Sequence, residues 1–117
     1  MRRILGTTII LITFYANVFA ISLNQTDVCV KYETRSGWSK GYAVQGHLRS
    51  GTELNRATNS FRFKSHSDYV VVFWGEGQAT ILQLPAFSSG RVPIYERRVK
   101  DQEGRNWRIK SGHMYCF

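Results

Sequence analysis

The side chains able to do acid–base or covalent chemistry are few in this sequence and far apart. Its three histidines, His47, His66 and His113, show neither the i, i+4 nor the His-x-His spacing that sets two imidazoles on one face for zinc. No GxSxG, HExxH, phosphate-binding loop or dinucleotide fingerprint is present. The two thiols, Cys29 and Cys116, lack a CxxC spacing and have only each other to pair with. One catalytic arrangement is compatible with these residue types. It takes a general base from Glu33, Glu53 or Glu96, a general acid from His66 or His113, and an arginine on a phosphate, as a small secreted ribonuclease would need. Nothing in the spacing selects it, so the expectation is no catalytic residue, no metal and no cofactor.

Positive charge is the stronger signal. Sixteen Lys and Arg stand against eight Asp and Glu, a formal net charge of +8. Arg62 and Lys64 alternate with Phe61 and Phe63, and Arg108 and Lys110 alternate with Trp107 and Ile109, the pattern of strands with one wet face. Arg97, Arg98 and Lys100 crowd the segment before them. A turn over Asp101–Gly104 would pair the last two of these segments and draw Lys100, Arg105 and Arg108 together. The candidate basic patch is therefore Arg97, Arg98, Lys100, Arg105, Arg108 and Lys110. It would attract an anionic ligand or an acidic protein partner: envelope phosphates, acidic glycans and extracellular nucleic acid all qualify. The competing reading is an ordinary wet sheet face, on which Lys and Arg also guard the edges. Aromatic residues interleaved with the charges would favour a glycan or a single-stranded nucleic acid, and Trp38, Tyr95 and Tyr115 are the candidates.

These residues have to be positioned by a small domain. The chain opens with Arg2 and Arg3, runs without charge from Ile4 to Val18, and reaches the small-residue pattern Val18-Phe19-Ala20. Residues 1–20 read as a secretory signal peptide. The stretch contains Thr7, Thr8, Thr13 and Asn17, and is short for a membrane anchor of about 20 apolar residues. The mature chain is then exported, periplasmic or secreted, and carries no transmembrane segment. Residues 21–117 form one domain, with fourteen basic residues against eight acidic ones once Arg2 and Arg3 are lost. A core of that size is thin, and an oxidising compartment allows Cys29 and Cys116 to staple it from end to end. Their Cα atoms must then come within about 7 Å, which sets the first and last strands side by side.

The remaining pattern is β. Val28 to Thr34, Trp38 to Leu48, Phe61 to Lys64, Tyr69 to Trp74, Ala79 to Leu84, Ile94 to Lys100, Asn106 to Lys110 and His113 to Phe117 all read as strand segments. Tyr69 to Trp74 has no polar interruption, so it is expected as the central strand, covered on both faces and hairpinned to Ala79–Leu84 through Gly75-Glu76-Gly77. Gly41 and Gly46 mark a bulge or a close backbone approach. Ser50 and Glu53 have capping-box spacing for at most one short helical turn. Pro85 to Pro93 reads as a loop. The fold class is all-β, a small antiparallel sandwich or barrel of about seven strands closed by one terminal disulfide. The functional expectation is an exported, non-enzymatic binding or inhibitor module with a basic surface. The alternative is a small secreted basic hydrolase.

Overall fold

The computed structural model describes residues 24–86 and 88–117, so the leader assigned to residues 1–20 lies outside it. Among the described residues the strands are β1 (Gln25–Thr34), β2 (Gly37–Trp38), β3 (Tyr42–Ser50), β4 (Asp68–Gly75), β5 (Gln78–Gln83), β6 (Arg97–Lys100) and β7 (Asn106–Ser111), with one helix, α1 (Gly51–Thr58), between β3 and β4. All pairings are antiparallel. They build one sheet in the order β5-β4-β3-β1-β7-β6, and β2 folds back on the end of β1. The expected small antiparallel all-β domain of about seven strands is what the described residues show, with one short helix beside the sheet. Cys29 on β1 is bonded to Cys116 with Cα atoms 5.6 Å apart, and β1 and β7, the first and last strands, lie side by side.

Strand alternation decides the core. Val28, Val30, Val70, Val72, Leu82 and Ile109 face the concave side of the curled sheet and are fully buried, each stabilising the fold by about 1.5–3 kcal/mol. Residues of the other parity on β4, Tyr69 and Val71, face the convex side and pack there against Leu54 of α1 and Phe63. That accounts for the first part of the apolar run: Tyr69 to Val72 are covered on both faces as expected, but Phe73 and Trp74, at 50% and 38% exposed, are not. Its place in the sheet is different. β4 is second from the edge, and the centre belongs to β3 and β1, because the β6–β7 hairpin adds to β1 on the far side.

Ser50 caps α1 with a complete capping box to Glu53, and the helix runs eight residues, a turn beyond what that spacing alone indicates. The expected strand at Phe61–Lys64 is absent. The Asn55 carboxamide takes the backbone of Phe63 on both sides, donating to its C=O at 2.8 Å and accepting from its N–H at 2.9 Å, so the segment runs past the helix as a loop. Phe63 is buried but Phe61 is 98% exposed, which reverses the inward placement expected for it. The expected strand at His113–Phe117 is also absent, since Gly112 (φ 82°) and Tyr115 (φ 58°) turn the tail out of the sheet toward Cys29. Residues 94–96 do not join β6. Gly41 and Gly46 are both close approaches: a Cβ on Gly46 would lie 2.6 Å from Val70, and one on Gly41 would lie 2.9 Å from Cys116 Sγ.

The curl brings the two margins of the sheet together. Gln102, in the turn after β6, reaches across to β5, where its Oε1 accepts from the Ile81 N–H and its Nε2 donates to the Ala79 C=O, both at 2.9 Å. A side chain closes the barrel where no backbone ladder does. Among the described residues no helix is long and apolar enough to cross a membrane.

Candidate binding face

The outward positions of β1, β7 and β6 make one surface. Lys31 is directly opposite Arg108, and Arg108 is directly opposite Arg98, so three cations stand in a row across three neighbouring strands. Adjacent strands lie about 4.8 Å apart, which confines the row to roughly 10 Å. The next row along holds Glu33, Asn106 and Lys100, in which Lys100 Nζ donates to Asn106 Oδ1 at 3.1 Å and Asn106 Nδ2 donates to Glu33 Oε1 at 2.8 Å. Lys110 lies on the same face opposite Cys29, with its Nζ bonded to the Met114 C=O and over the Tyr115 ring.

Trp38 completes the face. Alternation with Tyr42, Val44 and Leu48 would turn it inward, whereas its candidacy as an aromatic among the charges requires it to face out. Those three do pack on the core, but Ser39 to Gly41 interrupt the strand and Trp38 turns to the outer face beside Glu33. The guanidinium of Arg108 lies 4.3 Å from the centre of its ring and that of Arg98 lies 5.7 Å away. A cation over an indole gains about 0.5–1 kcal/mol at an exposed site, so Trp38 holds both arginines in place without neutralising them. Partial neutralisation comes from Glu96, 3.3 Å from Lys31 and 3.4 Å from Arg108, and from Glu33, 4.0 Å from Arg98. Five cations therefore share the face with two carboxylates.

The six residues expected to form a patch do not stay together. Arg98, Lys100, Arg108 and Lys110 lie on the one face. Arg97 is opposite the buried Ile109 and so occupies the other side of β6. Arg105 turns back at the end of the β6–β7 hairpin, where its Nε donates to Asp101 Oδ2 at 3.0 Å. Lys31 and Trp38 join the face, and of these Lys31 was not foreseen. Tyr95 and Tyr115 are both exposed.

Asp101 organises the hairpin end. Its Oδ1 accepts from the N–H groups of Glu103 and Arg105 and its Oδ2 from Arg105 Nε and Trp107 Nε1. Burial alone would raise its carboxyl, but the bonds from Trp107, Arg105 and Glu103 and the Arg105 charge outweigh that and pull its pKa below the ordinary 3.8.

The carboxylates and histidines weighed for catalysis are dispersed. Glu53 is committed to the N-terminus of α1, bonded to the Ser50 N–H and to Arg49. His113 Nε2 lies 2.8 Å from the Val44 C=O, and His66 is exposed in a turn. Among the described residues no hydrogen bond or ion pair joins either histidine to Glu33, Glu53 or Glu96, and no group of three or more His, Cys, Asp or Glu is placed to hold a metal. Comparison with protein-family models, with curated proteins and with solved structures finds no match.

Proposed function

We propose that this protein acts outside the cytoplasm as a non-enzymatic module that binds a polyanionic envelope component through the outer face of β1, β7 and β6. The row Lys31, Arg108 and Arg98 carries this reading. Like charges directly opposite one another destabilise a strand pair by several tenths of a kcal/mol, and this face places two such pairs in succession. A wet face kept only for solubility has no need to align them. Glu96 and Glu33 offset only part of that charge, and an anionic ligand supplies the remainder and turns the residual repulsion into binding energy. Export is supported by the leader-like N-terminus and by the disulfide, a bond that persists in oxidising compartments.

The test is retention on immobilised heparin as a function of salt. Arg98→Glu with Arg108→Glu should elute at much lower salt than the native protein. Arg91→Glu with Arg97→Glu changes the net charge equally but leaves the row intact, and should elute close to native. Equal elution of the two double variants would show that only total charge matters and would end the assignment. Circular dichroism of both variants checks that the fold survives.

A further inference from the structure

One end of the curled sheet carries a cleft that shares only Glu33 and Asn106 with the basic face. The inward positions there are aromatic: Tyr32 on β1, Tyr42 on β3, Trp74 on β4 and Trp107 on β7. Tyr32 stacks on Tyr42 with centroids 6.1 Å apart and meets Trp107 edge-on at 5.6 Å, while Trp74 lies near-parallel to Trp107 at 6.2 Å. The other end is filled by aliphatic residues, among them Leu84 and Val92 from the 84–93 segment. The aromatic end instead opens into a cleft of about 530 Å³, lined by Tyr32, Trp74 and Trp107 together with Glu33, Thr80, Arg105 and Asn106. That volume is in the range of small-ligand sites.

Three details say what fits. First, the indoles offer faces and not donors: Trp74 Nε1 donates to Thr80 Oγ1 at 2.8 Å, and Trp107 Nε1 is taken by Asp101. Tyr32 and Trp74 nevertheless stay 40% and 38% exposed, so their rings are left available for an apolar surface to stack upon. Second, Arg105 is fixed by one edge only. The Asp101 side chain, with no exposed surface, holds its Nε, while the arginine side chain as a whole is 69% exposed. A guanidinium held this way is set to receive a planar acid at its outer edge. Third, Glu33 and Asn106 supply a carboxylate and a carboxamide at the lip. A carboxylate and a carboxamide there can accept from the hydroxyl groups that every face of a sugar ring carries, which a polyphosphate lacks.

We propose that this cleft binds one pyranose ring of an acidic glycan, with the apolar C–H face of the ring on Trp74 and Tyr32, its acid group on Arg105, and its hydroxyls on Glu33 and Asn106. The inference rests on the polyanion reading of the neighbouring face, because Asn106 bonds both Lys100 on that face and Glu33 at the cleft. One glycan chain can then lie across the cations and leave a ring in the cleft.

The exported mature protein would be titrated with four probes of similar total charge: a carboxylated oligogalacturonate, a sulfated heparin oligosaccharide, inorganic polyphosphate and oligouridylate. Tryptophan emission and calorimetry are the readouts. Acidic sugars should shift the emission, and Trp74→Ala and Arg105→Gln should each weaken sugar binding about tenfold while leaving polyphosphate affinity unchanged. Trp74→Tyr should keep most of it, and serves as the variant of choice if Trp74→Ala fails to fold. The carboxylated and sulfated arms show which acid Arg105 prefers. Sugar affinity indifferent to both Trp74→Ala and Arg105→Gln, equal losses on polyphosphate, or tighter binding of oligouridylate would each overturn the proposal. Polyphosphate binding that depends on Arg98 and Arg108, without any effect of the cleft variants on sugar, would leave the basic face standing and remove the cleft alone. Sugar binding lost in the cleft variants but untouched by Arg98→Glu with Arg108→Glu would do the reverse.

Discussion

Replacing Asp101 by alanine removes the acceptors that four donors share. The N–H groups of Glu103 and Arg105, at 2.8 and 2.9 Å, lie in an exposed turn and can turn to water, so each loses about 1 kcal/mol. The contact to the exposed Arg105 side chain adds at most about 1 kcal/mol. The indole N–H of the buried Trp107, at 2.9 Å, is left without an acceptor, which costs about 1–3 kcal/mol. The expected loss is about 3–6 kcal/mol, read as a lower urea midpoint at unchanged slope and a Tm lowered by at least about 12 °C for a domain of this size. pH supplies an independent check. The folded pKa of Asp101 is depressed, so its contribution is fully present above the ordinary value of 3.8 and is lost as pH falls through the folded value. Native protein should therefore lose stability below about pH 4, and Asp101→Asn should lack that part of the acid limb. A loss under about 1 kcal/mol in Asp101→Ala, or an unchanged acid limb in Asp101→Asn, would refute the view that one carboxylate holds the hairpin end together.

Two further outcomes follow from the same kind of reasoning. His47 packs edge-on against Phe73, its Nδ1 is buried without a partner among the described residues, and burial first and the Arg49 charge second lower its pKa. The unfolded chain takes up that proton near pH 6.5 while the folded one resists, so stability should decline as pH drops below about 6.5, and urea midpoints of His47→Phe should be flatter through that range. The disulfide closes a loop with a sequence separation of 87, so replacing Cys29 and Cys116 by serine should lower stability by about 4–5 kcal/mol on the chain-entropy model; a change below about 1 kcal/mol in the urea midpoint would show that the ends are held by other contacts.

Much of the scaffold is legible in the residues because alternation and covalent chemistry are local facts. Two cysteines near the ends imply that the ends are drawn together, and the Tyr69–Trp74 run implies a strand covered twice, which holds as far as Val72. Long-range order is a different matter. Nothing in that run says whether it lies at the middle of the sheet or one strand from its margin, since both need two covered faces. Phe61 to Lys64 reads as a strand because its alternation is perfect, but its backbone is taken by Asn55, by the Tyr69 hydroxyl at Lys64 and by the Ser60 hydroxyl at Arg62. The basic face was half visible: the outward cations of β6 and β7 follow from spacing, but Lys31 joins them only through the β1–β7 pairing, and Arg97 leaves them because it is one residue out of step. Tyr32, Trp74 and Trp107 are separated by whole strands and meet only through their inter-strand offsets, so no spacing rule marks the cleft.

Gln102 gives the molecule a social property as well as a shape. An outer strand with free peptide groups is a template on which a second molecule can lay a strand of its own, the first step toward clumping. By presenting one amide donor and one amide acceptor to Ala79 and Ile81, Gln102 imitates a single peptide unit of such a visitor and fills its berth. On the proposed polyanion reading, copies gathered on one polymer would sit at high local concentration, and this plugged margin would let them stand close without knitting together.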